Sequence, residues 1–468
     1  MDNETQKSNS ARLINPTIRN YMDTLNLQRF YGGYVVTPLP DEVYNLGIGE
    51  VGNIPLEEEL FSVYQRYLQQ EQRDRLALRY SGTLGNKETN TLQAEWMNSL
   101  MGEARFNADL VVSLDGGQNA VSAALRVFTS PLGSTTSKKQ YVLLAAPTYP
   151  YFSAIVTAQA GMQAFLAYDG EQFTKGVETY CNPSVGVILV NIPNNPMGYS
   201  LTPEQAERIN RVARTYDCAI VVDMVYATFA PDETLGKTLA AFDADRTVFA
   251  DSFSKRFGFP GLRIGFALST EPELTYALRF VKTSESLSPS HVGLAFAGHL
   301  LTHYSSYPKG IAETVRQRCK RFIETFQPPE NSGAQLFPGR DNPFYLGLDL
   351  GLVAERAGGP DIEMVPYLQE KHLVRVYPGS FVYPNSALGY ESFTQAGRLN
   401  PGGLPTYLAP SFPEGAPVVY APDFFAARKP MFRLSFGSEE RVEAAALALS
   451  QGLQALMEGK METKTGTG

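Results

Sequence analysis

The sequence predicts an α/β fold: a large domain on a doubly wound, mostly parallel sheet, joined to a smaller α+β domain. Three observations carry this. Between about residue 110 and residue 270, short apolar runs alternate with helical patterns. Most of those runs are too continuous to leave one face in water, as expected of strands covered on both sides. Beyond about residue 270 the alternation gives way to long helical segments and three further strand-like runs. A repeating strand–helix–strand order implies right-handed crossovers.

In order, the strands of the large domain are expected at 110–114, 141–145, 186–190, 219–222, 247–250 and 264–268. The helix opening at Thr202-Pro-Glu-Gln205 carries its own start signal. It has an N-cap threonine, a proline at the first helical position and a capping-box glutamine before Ala206, Ile209 and Val212. The smaller domain takes strands at 343–349, 373–377 and 431–436 and closes with a helix at about 439–457. The expected organisation is an N-terminal arm with part of the small domain at 1–54, the large domain at 55–325 and the small domain at 326–458. A polar tail at 459–468 has too little apolar surface to offset its ordering entropy and is expected to be disordered. Inside the small domain, 383–429 is a long insertion rich in Pro, Gly and aromatics, longer than loops usually are. Tyr390, Phe393, Tyr407, Phe412, Tyr420 and Phe424 favour an ordered flap there, expected to act as a lid. No internal repeat is visible.

Composition narrows the function classes. A chain of 468 residues with 43% apolar content can bury a large core. A net charge of -8 and the lack of any basic run argue against nucleic acid or an anionic membrane as partner. Cys181, Cys218 and Cys319 are odd in number and lack C-x-x-C spacing, so neither a disulfide framework nor a thiolate metal site is expected, and the cytoplasm is the expected location. The polar start Met1-Asp-Asn-Glu-Thr-Gln-Lys7 does not read as a signal peptide, and no apolar run approaches the ~18 residues of a membrane span. His299 and His303 stand at i and i+4 without a third ligand, and read as packing or surface residues rather than a metal site. No G-x-G-x-x-G follows an early strand, which speaks against a dinucleotide site.

Chemistry-bearing residues collect where strands stop, the place where open α/β sheets bind ligands. Asp115-Gly-Gly-Gln-Asn-Ala120 ends one strand and opens a helix, so its glycines allow close approach and its N–H groups can meet an anion. Pro147-Thr-Tyr149-Pro-Tyr-Phe152 puts an aromatic face after the next strand. Asn191-Ile-Pro-Asn-Asn195-Pro-Met-Gly198 is a stiff loop with an amide donor. Asp223-Met-Val-Tyr226 supplies a carboxylate and a phenol. Ser252-Phe-Ser-Lys255-Arg-Phe-Gly-Phe-Pro-Gly-Leu-Arg263 sets one lysine between serines and an arginine, groups suited to a phosphorylated aldehyde.

Together, G-G-Q-N-A at 116–120, N-N-P-M-G at 194–198, D-M-V-Y at 223–226, S-F-S-K at 252–255 with Arg263 eight residues on, and F-R-L-S-F at 432–436 resemble the class I/II aminotransferases. These are fold-type I enzymes dependent on pyridoxal 5'-phosphate (PLP), and the resemblance covers roughly residues 40–457. It implies that Lys255 forms the Schiff base with PLP and shuttles the proton at the substrate's α-carbon. Asp223 would keep the pyridine nitrogen protonated, Asn195 and Tyr226 would bond the phenolic oxygen, and Tyr149 would stack on the ring. Gly117, Gln118, Asn119, Ser252, Ser254 and Arg263 would hold the phosphate. Arg433 would pair with the substrate's α-carboxylate, with Asn195, the backbone at Gly49, and Glu50 beside it. Tyr80, followed by Gly85, resembles the tyrosine that reaches the phosphate of a neighbouring subunit, which implies a homodimer with shared sites.

The implied activity is amino transfer from a small-molecule α-amino acid. Phe257-Gly-Phe-Pro-Gly-Leu-Arg263 and Pro147-Thr-Tyr-Pro-Tyr-Phe152 also resemble 1-aminocyclopropane-1-carboxylate synthases. A PLP-dependent lyase or γ-elimination or γ-replacement enzyme acting on S-adenosylmethionine or a related amino acid is therefore the alternative. A catalytically inactive binding protein of the same fold is the second alternative.

Overall fold

Six neighbouring parallel strands whose carboxyl ends face the same way form the heart of the molecule. The computed structural model describes residues 39–460 apart from 55–56, 75–77, 231–233, 338–342, 359–360 and 385–417. In chain order the strands are β1 (Tyr44–Asn45), β2 (Val111–Leu114), β3 (Tyr141–Ala146), β4 (Gly161–Leu166), β5 (Val185–Asn191), β6 (Ala219–Asp223), β7 (Thr247–Ser252) and β8 (Gly265–Leu268). They continue with β9 (Gln335–Leu336), β10 (Tyr345–Asp349), β11 (Val374–Arg375), β12 (Tyr377–Pro378), β13 (Val418–Tyr420) and β14 (Met431–Ser435). The large sheet is ordered β13-β4-β3-β5-β6-β7-β8-β2. Its ladders are parallel except where β8 runs against both β7 and β2. All seven residues of β5 are buried. Burying each large aliphatic side chain in such a strand contributes about 1.5–3 kcal/mol, which explains why continuous apolar runs become central strands.

Every strand expected of the large domain is present, with ends within two residues of the expected ones. Two were not anticipated. β4, Gly161-Met-Gln-Ala-Phe-Leu166, breaks its apolar run with glycine and glutamine, yet Gln163 is buried and accepts from Asn182 Nδ2 at 3.0 Å. β13 lies in the insertion and pairs in parallel with β4, Val418 opposite Met162 and Tyr420 opposite Ala164. It covers what would otherwise be an unpaired sheet edge.

The smaller domain is a four-stranded antiparallel sheet, β12-β14-β10-β9. The single strand expected at 373–377 is divided at Val376: β11 pairs with β1, while β12 joins the sheet of β14. Residues 44–45 thus pair with 374–375, far along the chain. The helix Tyr307–Thr325, which ends at the expected domain boundary, already serves both sides. Arg318 Nη1 donates to the carbonyls of Gly52 and Gly437 at 3.1 and 2.9 Å, and Phe322 packs on Phe436.

Of the insertion, 385–417 and with it Tyr390, Phe393, Tyr407 and Phe412 lie outside the described residues, as do 1–38 and 461–468. Its two described ends form a strap. Tyr383 Oη donates to the Lys429 carbonyl at 2.9 Å, and Lys429 N donates to Tyr168 Oη at 3.0 Å. Lys429 Nζ meets Asp349 of β10 at 2.7 Å, tying the small-domain sheet to the end of β4.

Candidate active site

Four helices matter for the site: α1 (Lys87–Met101), α2 (Gly117–Phe128), α3 (Pro203–Tyr216) and the single turn α4 (Phe253–Arg256). α3 has the capping box read from sequence, with Gln205 N donating to Thr202 Oγ1 at 3.3 Å and Thr202 N to Gln205 Oε1 at 2.9 Å. It braces the parallel sheet from outside. On the inner side, the carboxyl ends of β2, β3, β6 and β7 open into one cavity of about 320 Å³. Among its lining residues are Gly49, Glu50, Gly117, Gln118, Tyr149, Asp223, Tyr226, Ser252, Ser254, Lys255, Arg263 and Arg433.

At one end of the cavity the chain leaves β2 and enters α2 through Gly116, whose φ of 92° is a conformation that glycine adopts without strain. A side chain there would strike Arg263 Nη2 at 2.4 Å, and one on Gly117 would strike Val225 at 2.8 Å. The space is thus kept open by the absence of two methyl groups. The N-terminus of α2 has no side-chain cap, so its first N–H groups and the helix dipole point at the cavity. Arg263 closes the cradle, held by the carbonyls of Pro260 and Asp115, each at 3.1 Å. Ser252 Oγ donates to the Ile264 carbonyl at 3.1 Å and accepts from Ser254 N at 3.1 Å, capping α4.

Lys255 rises from α4 into the middle of the cavity, and its amine donates to the carbonyl of Gly49. Burial holds that amine down at about 8; Glu50 opposes the shift, while Arg433 and Arg263 add to it. Across from it, Asp223 ends β6. Asn191 Nδ2 donates to Asp223 Oδ2 at 3.0 Å and Val225 N to Oδ1 at 3.2 Å. Burial nevertheless raises this carboxyl to about 7, so without a cationic partner it is poised between its two forms.

The opposite wall comes from the small domain. Arg433 sits in the middle of β14 between Gly347 and Tyr377, with its guanidinium 3.9 Å from the Tyr377 ring and 4.6 Å from the Tyr345 ring. Its Nη2 donates to the Gly47 carbonyl at 2.7 Å and its Nη1 to Asn195 Oδ1 at 3.5 Å. Arg433 Nε and Asn195 Nδ2 are buried and have no hydrogen-bond partner among the described residues. Native structures seldom leave such groups unsatisfied, so both mark a place for a ligand. Tyr226 and Tyr345 share a hydrogen bond of 2.9 Å between their hydroxyls, and burial raises both phenols.

The sequence-predicted residues converge with three exceptions. Asn119 turns its side chain away from the cavity, donating to Glu285 Oε2 at 2.9 Å, so that only its backbone belongs to the cradle's helix. Tyr80 is 80% exposed on the outside of this chain. Asn195 does not line the cavity but reaches it through Arg433. Tyr345, Tyr151, Arg375 and Tyr377 line it and were missed. A tyrosine inside an apolar strand, as in Pro343-Phe-Tyr345-Leu, was the available signal, since a buried hydroxyl needs a partner. His299 and His303 face each other with ring centroids 4.6 Å apart. Among the described residues no group of three His, Cys, Asp or Glu side chains could hold a metal, and no helix is long and apolar enough to cross a membrane.

This donor set fits PLP group by group. There is an anion cradle at a helix N-terminus, an amine of lowered basicity, a buried carboxyl able to face a ring nitrogen, and an orphaned amide N–H on Asn195 against Arg433. Known proteins agree. The chain is 30% identical to aromatic-amino-acid aminotransferase 2 of Thermococcus litoralis over 155 residues, 32% of this chain and 40% of that enzyme. It is 24% identical to the aspartate aminotransferase of Thermotoga maritima over 371 residues, 76% of this chain and 90% of that one. The crystal structure of aspartate aminotransferase from T. maritima superposes over 95% of this chain and 98% of its own, with a TM-score of 0.66 and 18% identity. N-succinyldiaminopimelate aminotransferase from Mycobacterium tuberculosis gives 0.65 at 18% identity, over 94% and 98%. The family model for aminotransferase class I and II matches residues 41–403, and the chain belongs to that family, whose cofactor is PLP.

Proposed function

We propose that this protein transfers the amino group of an α-amino acid, with Lys255 as the residue that holds PLP. The observation that carries the reading is the placement of one low-basicity amine between an anion cradle and a buried arginine. When bound, PLP supplies an electron-withdrawing ring that stabilises negative charge at the substrate's α-carbon. The protein's part is to bind, orient and move protons. Gly117 and Gln118 at the start of α2, with Ser252, Ser254 and Arg263, would hold the phosphate, the guanidinium fork matching a dianion. Asp223 would keep a proton on the ring nitrogen, because a carboxyl this costly to ionise alone gains from a cationic neighbour. Asn195 Nδ2 and Tyr226 Oη would donate to the phenolic oxygen, with Tyr345 orienting Tyr226.

Arg433 would receive the substrate's α-carboxylate as a bidentate pair, shielded by the Tyr377 and Tyr345 rings. Lys255 Nζ would take the proton from the substrate's α-carbon, and its lowered basicity suits a base working near neutral pH. Tyr149 and Tyr151 would exclude water on the large-domain side. Ile48, Tyr151, Arg375 and Tyr377 are the lining groups left to meet the substrate's side chain. Tyr80, exposed here, would complete the site of a second copy in a homodimer.

The test is to mix the PLP-loaded protein with a panel of amino acids and with S-adenosylmethionine and identify the products by mass. Pyridoxamine phosphate with an equivalent of keto acid supports amino transfer. Release of methylthioadenosine without it would place the chemistry in the γ-elimination class instead. No change with any donor would favour an inactive binding protein.

A further inference from the structure

Directly behind Lys255 lies a buried charged cluster that the chemistry above does not use. Arg256 is 1% exposed, among the largest wholly enclosed side chains of the molecule. Its Nη2 lies 3.2 Å from Asp251 Oδ2 and donates to Gln93 Oε1 at 2.5 Å, while Gln93 Nε2 donates to Asp251 Oδ2 at 2.8 Å. Trp96, the chain's single tryptophan, lies with its ring centroid 3.9 Å from the guanidinium carbon. Phe253 and Phe257 crowd the same group at 4.7 and 5.8 Å. Nε and Nη1 have no hydrogen-bond partner among the described residues. Burial pushes the Asp251 carboxyl up and the Arg256 guanidinium down, each partly holding the other in its ionised form.

This is an expensive arrangement. A buried ion pair seldom repays its desolvation, and an apolar pair of similar volume is often as stable or more so. What the cluster does provide is a fixed geometry where the local chain has little of its own. α4 is a single turn of four residues, far below the length at which a helix holds itself. Its start is pinned by the Ser252 cap, and Arg256 is its last residue. Lys255 and Arg256 are adjacent, so about 100° around the turn separates a side chain in the active cavity from one locked beneath it. Gln93 and Trp96 belong to α1, one turn apart on the same face, so α1 grips the turn through two side chains at once.

We infer that Arg256 is a positioning residue for Lys255: the Asp251–Gln93–Trp96 socket fixes the rotation of the α4 turn and so aims the amine at the reacting atoms. This rests on the reading of Lys255 as the cofactor lysine. Arg256→Lys keeps the charge but loses the planar fork and the flat face that lies against Trp96.

The experiment compares wild type, Arg256→Lys, Arg256→Gln and Gln93→Leu as PLP-loaded proteins. Four readouts are taken: the emission of Trp96, the thermal midpoint, the pH midpoint of the bound cofactor's visible absorbance, and the rate of a single amino-transfer half-reaction. The expected result is altered Trp96 emission, a displaced pH midpoint, and a half-reaction slowed on the order of 100-fold, as for a catalytic group misplaced by about 1 Å. A variant with a lower thermal midpoint but wild-type pH midpoint and rate would overturn the inference, because a merely structural pair moves only stability. Unchanged Trp96 emission in Arg256→Lys would overturn it too. If the Arg256 variants do not fold, Gln93→Leu decides, since it loosens the socket and leaves the ion pair; a wild-type pH midpoint there counts against the inference. Failure of the functional reading looks different: Lys255→Ala would then bind PLP with the wild-type spectrum.

Discussion

Lys255 is a burden to the protein before it meets its cofactor, and Lys255→Met measures how large. Enclosure holds the amine at about 8 instead of 10.5. At pH 7 it is charged in both the folded and the unfolded chain, so the folded state bears the whole cost of desolvation. About 2.5 pH units at ~1.36 kcal/mol each amounts to ~3 kcal/mol. Lys255 keeps some access through the cavity mouth, and methionine forfeits the hydrogen bond to the Gly49 carbonyl. Each takes away up to about 1 kcal/mol, leaving a net stabilisation of ~1–2 kcal/mol in the variant. The sign follows from linkage. A base whose folded pKa lies below its unfolded value bears its full penalty below about pH 8, and the penalty fades as pH rises from there to 10.5. The advantage of methionine should therefore shrink between pH 7 and pH 10. Urea unfolding of PLP-free wild type and variant at both pH values checks this. A variant less stable than wild type at pH 7, or a difference that does not change with pH, would refute the reasoning.

Other outcomes follow from the same geometry. Gly116→Ala forces a side chain onto Arg263 and an L-residue into a φ of 92°, so PLP affinity, read by equilibrium dialysis, should fall by more than tenfold with a lower thermal midpoint. Asp223→Asn removes the carboxylate proposed to face the ring nitrogen; stopped-flow half-reactions should slow by ~10²–10³-fold while PLP stays bound. Arg433→Lys gives up the bidentate fork, so kcat/KM should drop for every amino-acid donor, chiefly through KM. Arg375→Leu alters the wall proposed to meet the side chain, and steady-state kinetics should show a new ranking of donors, with acidic ones losing most.

The anion cradle, the lysine turn and the carboxylate were legible in sequence because each is a short local pattern at the end of a strand, where loop chemistry is written in consecutive residues. Arg433 was legible only through the surrounding F-R-L-S-F motif. Tyr345 and Arg375 were not, since each becomes functional through a partner far along the chain: Tyr226 lies 119 residues before Tyr345, and Arg375 meets the cavity beside Gly47. The same holds for Arg256, whose partners Gln93 and Trp96 belong to a helix more than 150 residues away. In the fold, β4 was hidden by a buried glutamine whose hydrogen bond is invisible in a hydropathy pattern. β13 was hidden because three residues offer no period to read. The insertion was expected to be a lid; residues 385–417 of it lie outside the described residues, and its described ends form a sheet-edge strand and a strap to β10. None of its described residues lines the cavity.

The central claim is that Lys255 holds the cofactor of an amino-transferring site. Borohydride reduction of the PLP-loaded protein fixes the cofactor to the amine that holds it, and peptide mapping by mass spectrometry then locates that amine. The expected result is one pyridoxyl group per chain on Lys255, lost when an amino-acid donor is added before the reductant. A pyridoxyl group on another lysine, or one that persists on Lys255 after every donor, would contradict the account.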